Sequence, residues 1–148
     1  MNDSNQALSR QTIHSFLTLF RYLRRYSRQV SRQGIRHRQF SVLLFLLESG
    51  PATVGQVQDY LYQSASTTST LIAQLEEAGY VTRTRSQQDN RVVIVELTPS
   101  GQDVAQNTPL GGIPLLRKQL SALPQEQLLA LDTALAELLQ LMEVTENK

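Results

Sequence analysis

Two short helical patterns with a polar turn between them, followed by an arginine-bearing hairpin, sit inside a chain otherwise rich in long apolar helical stretches. Together these observations predict a mainly α fold with a small β-hairpin wing: a winged helix-turn-helix plus a helical dimerisation region. At 148 residues and 16.7 kDa the chain can bury one sizeable core. The expected organisation is a single domain over 1–148, with a winged helix-turn-helix lobe at 36–98 and a helical dimerisation lobe from 8–33 and 99–145.

The central stretch begins at Thr53, whose hydroxyl can cap a helix carrying Val54, Val57, Tyr60 and Leu61 at helical spacing. Tyr62-Gln63-Ser64 makes the turn, and Ser64 can cap the next helix, which Gly79 ends from a left-handed position. In that helix Thr68, Leu71, Ile72 and Leu75 share one face, while Ser66, Thr70, Ala73 and Glu77 fall opposite, flanked by Thr67, Ser69 and Gln74. Small hydroxyls and amides let a helix approach a major groove and bond to base edges or phosphates. The same pattern also describes an ordinary solvated helix face. Glu76 and Glu77 argue against phosphate contact at the far end, so the N-terminal half must carry the contacts.

The hairpin comes next, with Tyr80–Arg85 and Arg91–Leu97 as its strands and the polar Ser86-Gln87-Gln88-Asp89-Asn90 as its tip. Arg85 and Arg91 flank the tip, where a guanidinium can reach phosphates or a narrow minor groove. Asp89 is placed to brace Arg91 by a charge-assisted bond. An arginine-bearing hairpin alone is commonplace; directly after a helix-turn-helix pattern it reads as a wing.

Three pieces, Leu75-Glu76-Glu77-Ala78-Gly79-Tyr80-Val81-Thr82-Arg83, Asp89-Asn90-Arg91 and Leu97-Thr98-Pro99-Ser100-Gly101, occur in order and at a spacing that resembles the signature of the MarR family of bacterial regulators. The resemblance extends more weakly over the whole chain. It implies a cytoplasmic homodimer that binds double-stranded DNA, with a recognition helix near 64–78, Arg91 in the minor groove and Asp89 orienting it. It further implies a repressor of a near-palindromic operator, relieved by a small-molecule effector bound between the two lobes near Phe16, Phe20, Phe40 and Leu44. Two departures stand out. Asn90 occupies a wing-tip position that is often arginine, and Ala65 and Thr70 stand where basic residues are frequent. Affinity should therefore lean on the wings and the helix edges.

Elsewhere the charge is uneven although its net value is only +1. Arg10, Arg21, Arg24, Arg25, Arg28, Arg32, Arg36 and Arg38 crowd the first quarter; beyond the wing only Arg117, Lys118 and Lys148 face Asp103, Glu126, Asp132, Glu137, Glu143 and Glu146. A basic half is consistent with one face meeting nucleic acid. A long helix is expected from Leu8 to Arg32, with a broad apolar arc opposite a narrow arginine stripe. That stripe can meet phosphates, or it can be a solvated face or pair with the acidic closing helices. Gln39–Glu48 reads as a central buried helix, and Arg36, His37 and Arg38 at its start can grip phosphate. The expected DNA contacts are thus Arg36, Arg38, Ser64, Ser66, Thr67, Thr70, Gln74, Arg85, Asp89 and Arg91.

After the wing, Thr98-Pro99 starts a helix as cap and first-turn proline. Asn107–Pro114, with two prolines and two glycines, breaks it, and helix resumes over Leu115–Leu120. The break reads either as a hinge or as a kink. Leu123-Pro124 opens the last helix, whose many leucines exceed what one subunit's surface should expose and predict a dimer interface.

The absence of cysteine excludes disulfides, thiolate metal sites and thiol-oxidation switching. With His14 and His37 the only histidines, no metal or cofactor is expected. No apolar run reaches transmembrane length, and the polar Met1–Ala7 start is no signal peptide, so no membrane is expected. No nucleophile–base pair or phosphate-cradling loop suggests an enzyme. The competing reading is a winged-helix module that binds protein without specific DNA binding, which an Arg91→Ala substitution would leave indifferent.

Overall fold

The computed structural model describes residues 3–144; Met1, Asn2 and residues 145–148, with Glu146 and Lys148 of the acidic half and the last position of the expected 99–145 lobe, lie outside them. The elements are α1 (Asp3–Ser31), α2 (His37–Ser49), β1 (Ala52–Thr53), α3 (Val54–Leu61), α4 (Ala65–Glu77), β2 (Val81–Arg85), β3 (Val93–Leu97), α5 (Pro99–Asn107), α6 (Gly112–Leu120) and α7 (Gln125–Leu141). They form two compact units, one through Gly112 and one from Ile113 onward. Helices α1 and α5 thus belong to the same unit as the winged helix, and only α6 and α7 stand in the other.

In the first unit α2 is the central element, as its apolar density requires: Phe40, Val42, Leu43, Leu44 and Leu46 are buried. Around it pack Tyr26 and Val30 of α1, Val57 of α3, Ile72 and Leu75 of α4, Val81 and Val95 of the strands, and Ala105 of α5. Burial of this kind contributes roughly 1.5–3 kcal/mol per large side chain.

The sheet has three strands in the order β1-β3-β2, all antiparallel. The hairpin runs in register from Val81 opposite Leu97 to Arg85 opposite Val93, and Ala52 and Thr53 pair with Val95 and Ile94. Sequence patterning missed β1, because two residues carry no periodicity.

Local chemistry fixes the helix ends. Gln39 Oε1 accepts the Arg36 N–H at the start of α2 (3.0 Å). Thr53 and Gln56 form a reciprocal capping box on α3, each side chain accepting the other's backbone N–H at 3.1 and 2.8 Å. Helix α4 ends in a Schellman turn: Gly79 has φ +78°, its N–H bonds to the Glu76 carbonyl, and the Tyr80 N–H bonds to that of Leu75 (both 2.9 Å). The Thr98 hydroxyl donates to the Gly79 carbonyl (2.6 Å), and the Thr98 N–H donates to that of Tyr80 (3.0 Å). A Cβ at position 101 would overlap the Tyr80 carbonyl, so only glycine lets α5 lie this close to the turn. The Leu-Thr-x-x-Gly motif is therefore a stitch between the end of the recognition-type helix and the helix after the wing.

The break after α5 is shorter than expected. Helix α6 begins at Gly112, three residues earlier than the sequence suggested, because Pro114 falls in its first turn, where a missing N–H costs no intrahelical bond. The break residues are held by α1: Tyr26 donates its hydroxyl hydrogen to the Pro109 carbonyl, and the Gly112 N–H donates to the Tyr22 hydroxyl, both at 3.0 Å. In the second unit, α7 buries none of its residues; Leu131, Leu135, Leu139 and Met142 are exposed.

Candidate nucleic-acid interface

Helix α4 stands between two grooves of the first unit. Its inner face is buried as its spacing predicts, through Thr68, Leu71, Ile72 and Leu75. Its outer face presents Ser66, Ser69, Thr70 and Ala73 to solvent, with Thr67 and Gln74 half-buried at its edge. The Ser64 hydroxyl accepts the Thr67 N–H at 3.2 Å and donates to the Thr67 hydroxyl at 2.9 Å. Ser64 is thus a helix cap first, with its proton already committed. Thr70 likewise donates to the Ser66 carbonyl at 3.0 Å.

On one side lies a groove of about 550 Å³ that collects Arg36, His37 and Arg38 from α2 with Ser66, Thr67, Thr70 and Gln74 from α4. This brings together six of the residues expected to meet DNA. Gln74 is held in place by the Gln39 amide, which donates to its Oε1 at 3.1 Å. Ser27 and Ser31 of α1 also line this groove. His37 is more than a surface imidazole: its Nδ1 lies 3.0 Å from the Ser27 hydroxyl and ties α2 to α1. Partial burial of the ring, and secondly the Arg38 charge, hold its pKa below the usual 6.5.

On the other side a groove of about 520 Å³ is lined by Thr53 and Gly55 at the start of α3, Ser69 of α4, and Arg83 and Arg91 of the wing. Arg83 is committed: its Nε donates to Glu76 Oε2 at 2.7 Å, and its Nη2 pairs with the same oxygen. The Arg83 hydrogen bond is also what lowers the pKa of the exposed Glu76 carboxylate. The negative charge that counts against DNA contact near the end of α4 is thereby matched by a neighbouring guanidinium. Ser69 was not among the residues singled out as contacts; its place on the exposed arc of the helix was the available signal.

At the wing tip two expectations need correction. Asp89 does not brace the Arg91 guanidinium; its Oδ1 accepts the Arg91 backbone N–H at 2.9 Å, while its carbonyl accepts the Val92 N–H at 2.9 Å. A short carboxylate two residues upstream reaches its own backbone more readily than a long neighbouring side chain. Arg85 does not reach out either. Its Nη1 donates to the Asn90 carbonyl at 2.7 Å and closes the tip. The Arg91 side chain is left exposed on a rigid turn.

The expected effector residues do not come together within the chain. Phe40 and Leu44 are consumed by the core around α2, at 0% and 8% exposure, whereas Phe16 and Phe20 are 36% and 50% exposed on α1. Instead of lining a cavity, the Phe20 ring lies 5.7 Å under the Arg24 guanidinium.

A buried-faced second helix, a capped turn before it and a three-stranded wing beside it define a winged helix-turn-helix. The profile of the MarR family matches residues 33–91, which covers both grooves apart from their α1 contribution and the last strand. The chain belongs to the MarR family of transcriptional regulators. It is 31% identical over 78 residues to the organic hydroperoxide resistance transcriptional regulator of Bacillus subtilis, a match covering 53% of each chain. It thus spans about half the length of that relative. The uncharacterized regulator YsmB of the same organism is 28% identical over 109 residues, 74% of this chain and 75% of its own. Among solved structures, reduced AbfR bound to DNA superposes with a TM-score of 0.61 at 26% identity, covering 96% of this chain and 99% of AbfR. The disulfide-formed state of AbfR gives a TM-score of 0.67 at 26% identity, covering 92% and 95%. No helix among the described residues is long and apolar enough to cross a membrane.

Proposed function

We propose that the protein is a homodimeric, sequence-specific regulator that reads double-stranded DNA in the cytoplasm and represses from a near-palindromic operator. The observation that carries this reading is the placement of α4. Its exposed hydroxyl face lies between two grooves that bear Arg36 and Arg38 on one side and Arg91 on the other. Two such helices enter successive major grooves about one helical turn, roughly 34 Å, apart, while Arg91 reaches the adjacent minor groove. Arg36 and Arg38 bind backbone phosphates, Ser66, Thr67, Thr70 and Gln74 meet base edges or phosphates, and Ser64, Arg85 and Asp89 shape the elements that carry them.

Dimerisation joins residues 8–33 and 99–145 of two copies, which cover the exposed leucines of α7 and the apolar arc of α1. The family relatives are regulators, and none of the roles assigned here is catalytic. A small effector relieves repression by changing the spacing of the two α4 helices. Binding at the thiol level has no part in this, since the chain has no cysteine.

Selection of bound duplexes from a random pool at near-physiological salt tests the reading. An inverted repeat with half-sites one turn apart is the expected result. Recovery of no motif, from protein shown to be folded and dimeric, would overturn it.

A further inference from the structure

Between residues 4 and 47 the chain carries eight arginines and neither an aspartate nor a glutamate. Arg36 and Arg38 of this set already stand in the groove beside α4. Ser27 and Ser31 carry the same groove onto α1. At helical spacing Arg24 is one turn before Ser27 and Arg28, and Arg28 is one turn before Ser31, so these four side chains share one surface. Both arginines are exposed. Arg24 is held over the Phe20 ring, a contact that orients a guanidinium without neutralising it.

We propose that Arg24 and Arg28 form a second phosphate-binding track, continuous with the α4 groove, that grips duplex DNA flanking each half-site. The inference rests on the DNA-reading function proposed above and extends it beyond the bases that α4 can reach. The chemistry of the track favours DNA over a protein partner. From Ser27 to Arg32 the positions on this face (Ser27, Arg28, Ser31, Arg32) are hydroxyls and guanidiniums, with no aromatic or aliphatic anchor of the kind that dominates protein interfaces. Hydroxyls and arginines at one-turn intervals are what successive backbone phosphates require, and the contact carries no base information.

The test uses the full-length protein and the duplex recovered by selection, in two lengths. One is trimmed to the half-sites; the other extends about one helical turn, roughly 10 bp, beyond each. The variants are R24S/R28S and R24K/R28K, with folding checked by thermal melts. On the long duplex R24S/R28S should bind roughly tenfold more weakly, and its log Kd against log salt should flatten by about 2, one per lost phosphate contact. On the trimmed duplex it should match the wild type, and its preference for operator over random sequence should not change. The lysine pair should keep the wild-type salt slope, since phosphates accept a point charge. Equal binding and equal slopes of wild type and R24S/R28S on the long duplex would overturn the track, whatever acidic protein the stripe then proves to bind. A wild type that binds neither duplex would instead overturn the DNA-reading function itself.

Discussion

The Gly112 N–H donates to the Tyr22 hydroxyl at 3.0 Å, linking residues 90 apart in sequence. Tyr26, stacked beside Tyr22 with ring centroids 6.4 Å apart, donates to the Pro109 carbonyl, and burial raises its phenol pKa. Two tyrosines of α1 thereby clamp the peptide that closes the first unit. The Tyr26 ring fills the space a side chain would need: a Cβ at position 111 would lie 2.6 Å from Cε2. Gly111→Ala should therefore destabilise the fold by about 1–3 kcal/mol through overpacking, and Tyr26→Phe by about 1 kcal/mol through the lost hydrogen bond. Urea unfolding measures both, and an unchanged midpoint for Gly111→Ala would show that the ring is not packed as described.

Arg91→Ala should weaken operator binding by about 1–3 kcal/mol while leaving the melting temperature unchanged, because its side chain is exposed and its N–H bond to Asp89 survives the substitution. Asp89→Ala should act differently. It loosens the turn itself, so affinity and local protection of the wing should fall together, which hydrogen exchange of the Arg91 and Val92 amides would report.

The Arg83–Glu76 pair sets a pH dependence at the acid end. The folded carboxylate has its pKa lowered by the guanidinium, so the unfolded chain takes up the proton first as pH falls. The pair's contribution is present above the ordinary value of 4.5 and is lost as pH falls through the lower folded value. Glu76→Gln should remove that part of the pH–stability curve. Both groups are exposed, so the effect is small and should shrink in high salt.

His37 acts in a separate window. Its folded pKa is lowered, first by burial and then by Arg38, so below about 6.5 the unfolded chain binds the proton that the folded one resists. Stability should decline as pH falls from 6.5 toward the folded value and then level off. His37→Asn should flatten this stretch of the curve; a wild type without the decline would contradict the Ser27–His37 contact.

Leu135→Glu and Leu139→Glu place charge on the exposed apolar stripe of α7. Sedimentation should show the dimer dissociating, with operator affinity falling along with it. A dimer that persists in the double variant would move the interface elsewhere.

Features written in short-range chemistry were legible in the sequence. Thr53, Ser64 and Thr98 cap the helices expected of them, and Gly79 takes the left-handed turn. The face of α4 followed from spacing alone, because one side had to be buried. What stayed hidden depends on partners that leave no mark in composition. Arg85 is satisfied by the Asn90 carbonyl, a main-chain acceptor that every residue possesses. Phe40 and Leu44 are drawn into the core while Phe16 and Phe20 are not, a division set by tertiary packing rather than by residue type. The clamp of Tyr22 and Tyr26 on Gly112 and Pro109 could not be read from either segment by itself.

Helix α4 meets its ligand with hydroxyls that already have somewhere to go. Thr70 donates to Ser66, Thr68 to the Ser64 carbonyl, and Ser64 to Thr67. A base edge that recruits one of these protons exchanges an existing bond for a new one, so the net discrimination per position falls below the roughly 1–3 kcal/mol of a bidentate arginine or asparagine pair. Degenerate operators follow from this, ranked by small steps in affinity rather than separated into sites and non-sites. Occupancy across a genome would then be graded by the copy number of the regulator, with promoters answering in sequence as its concentration rises.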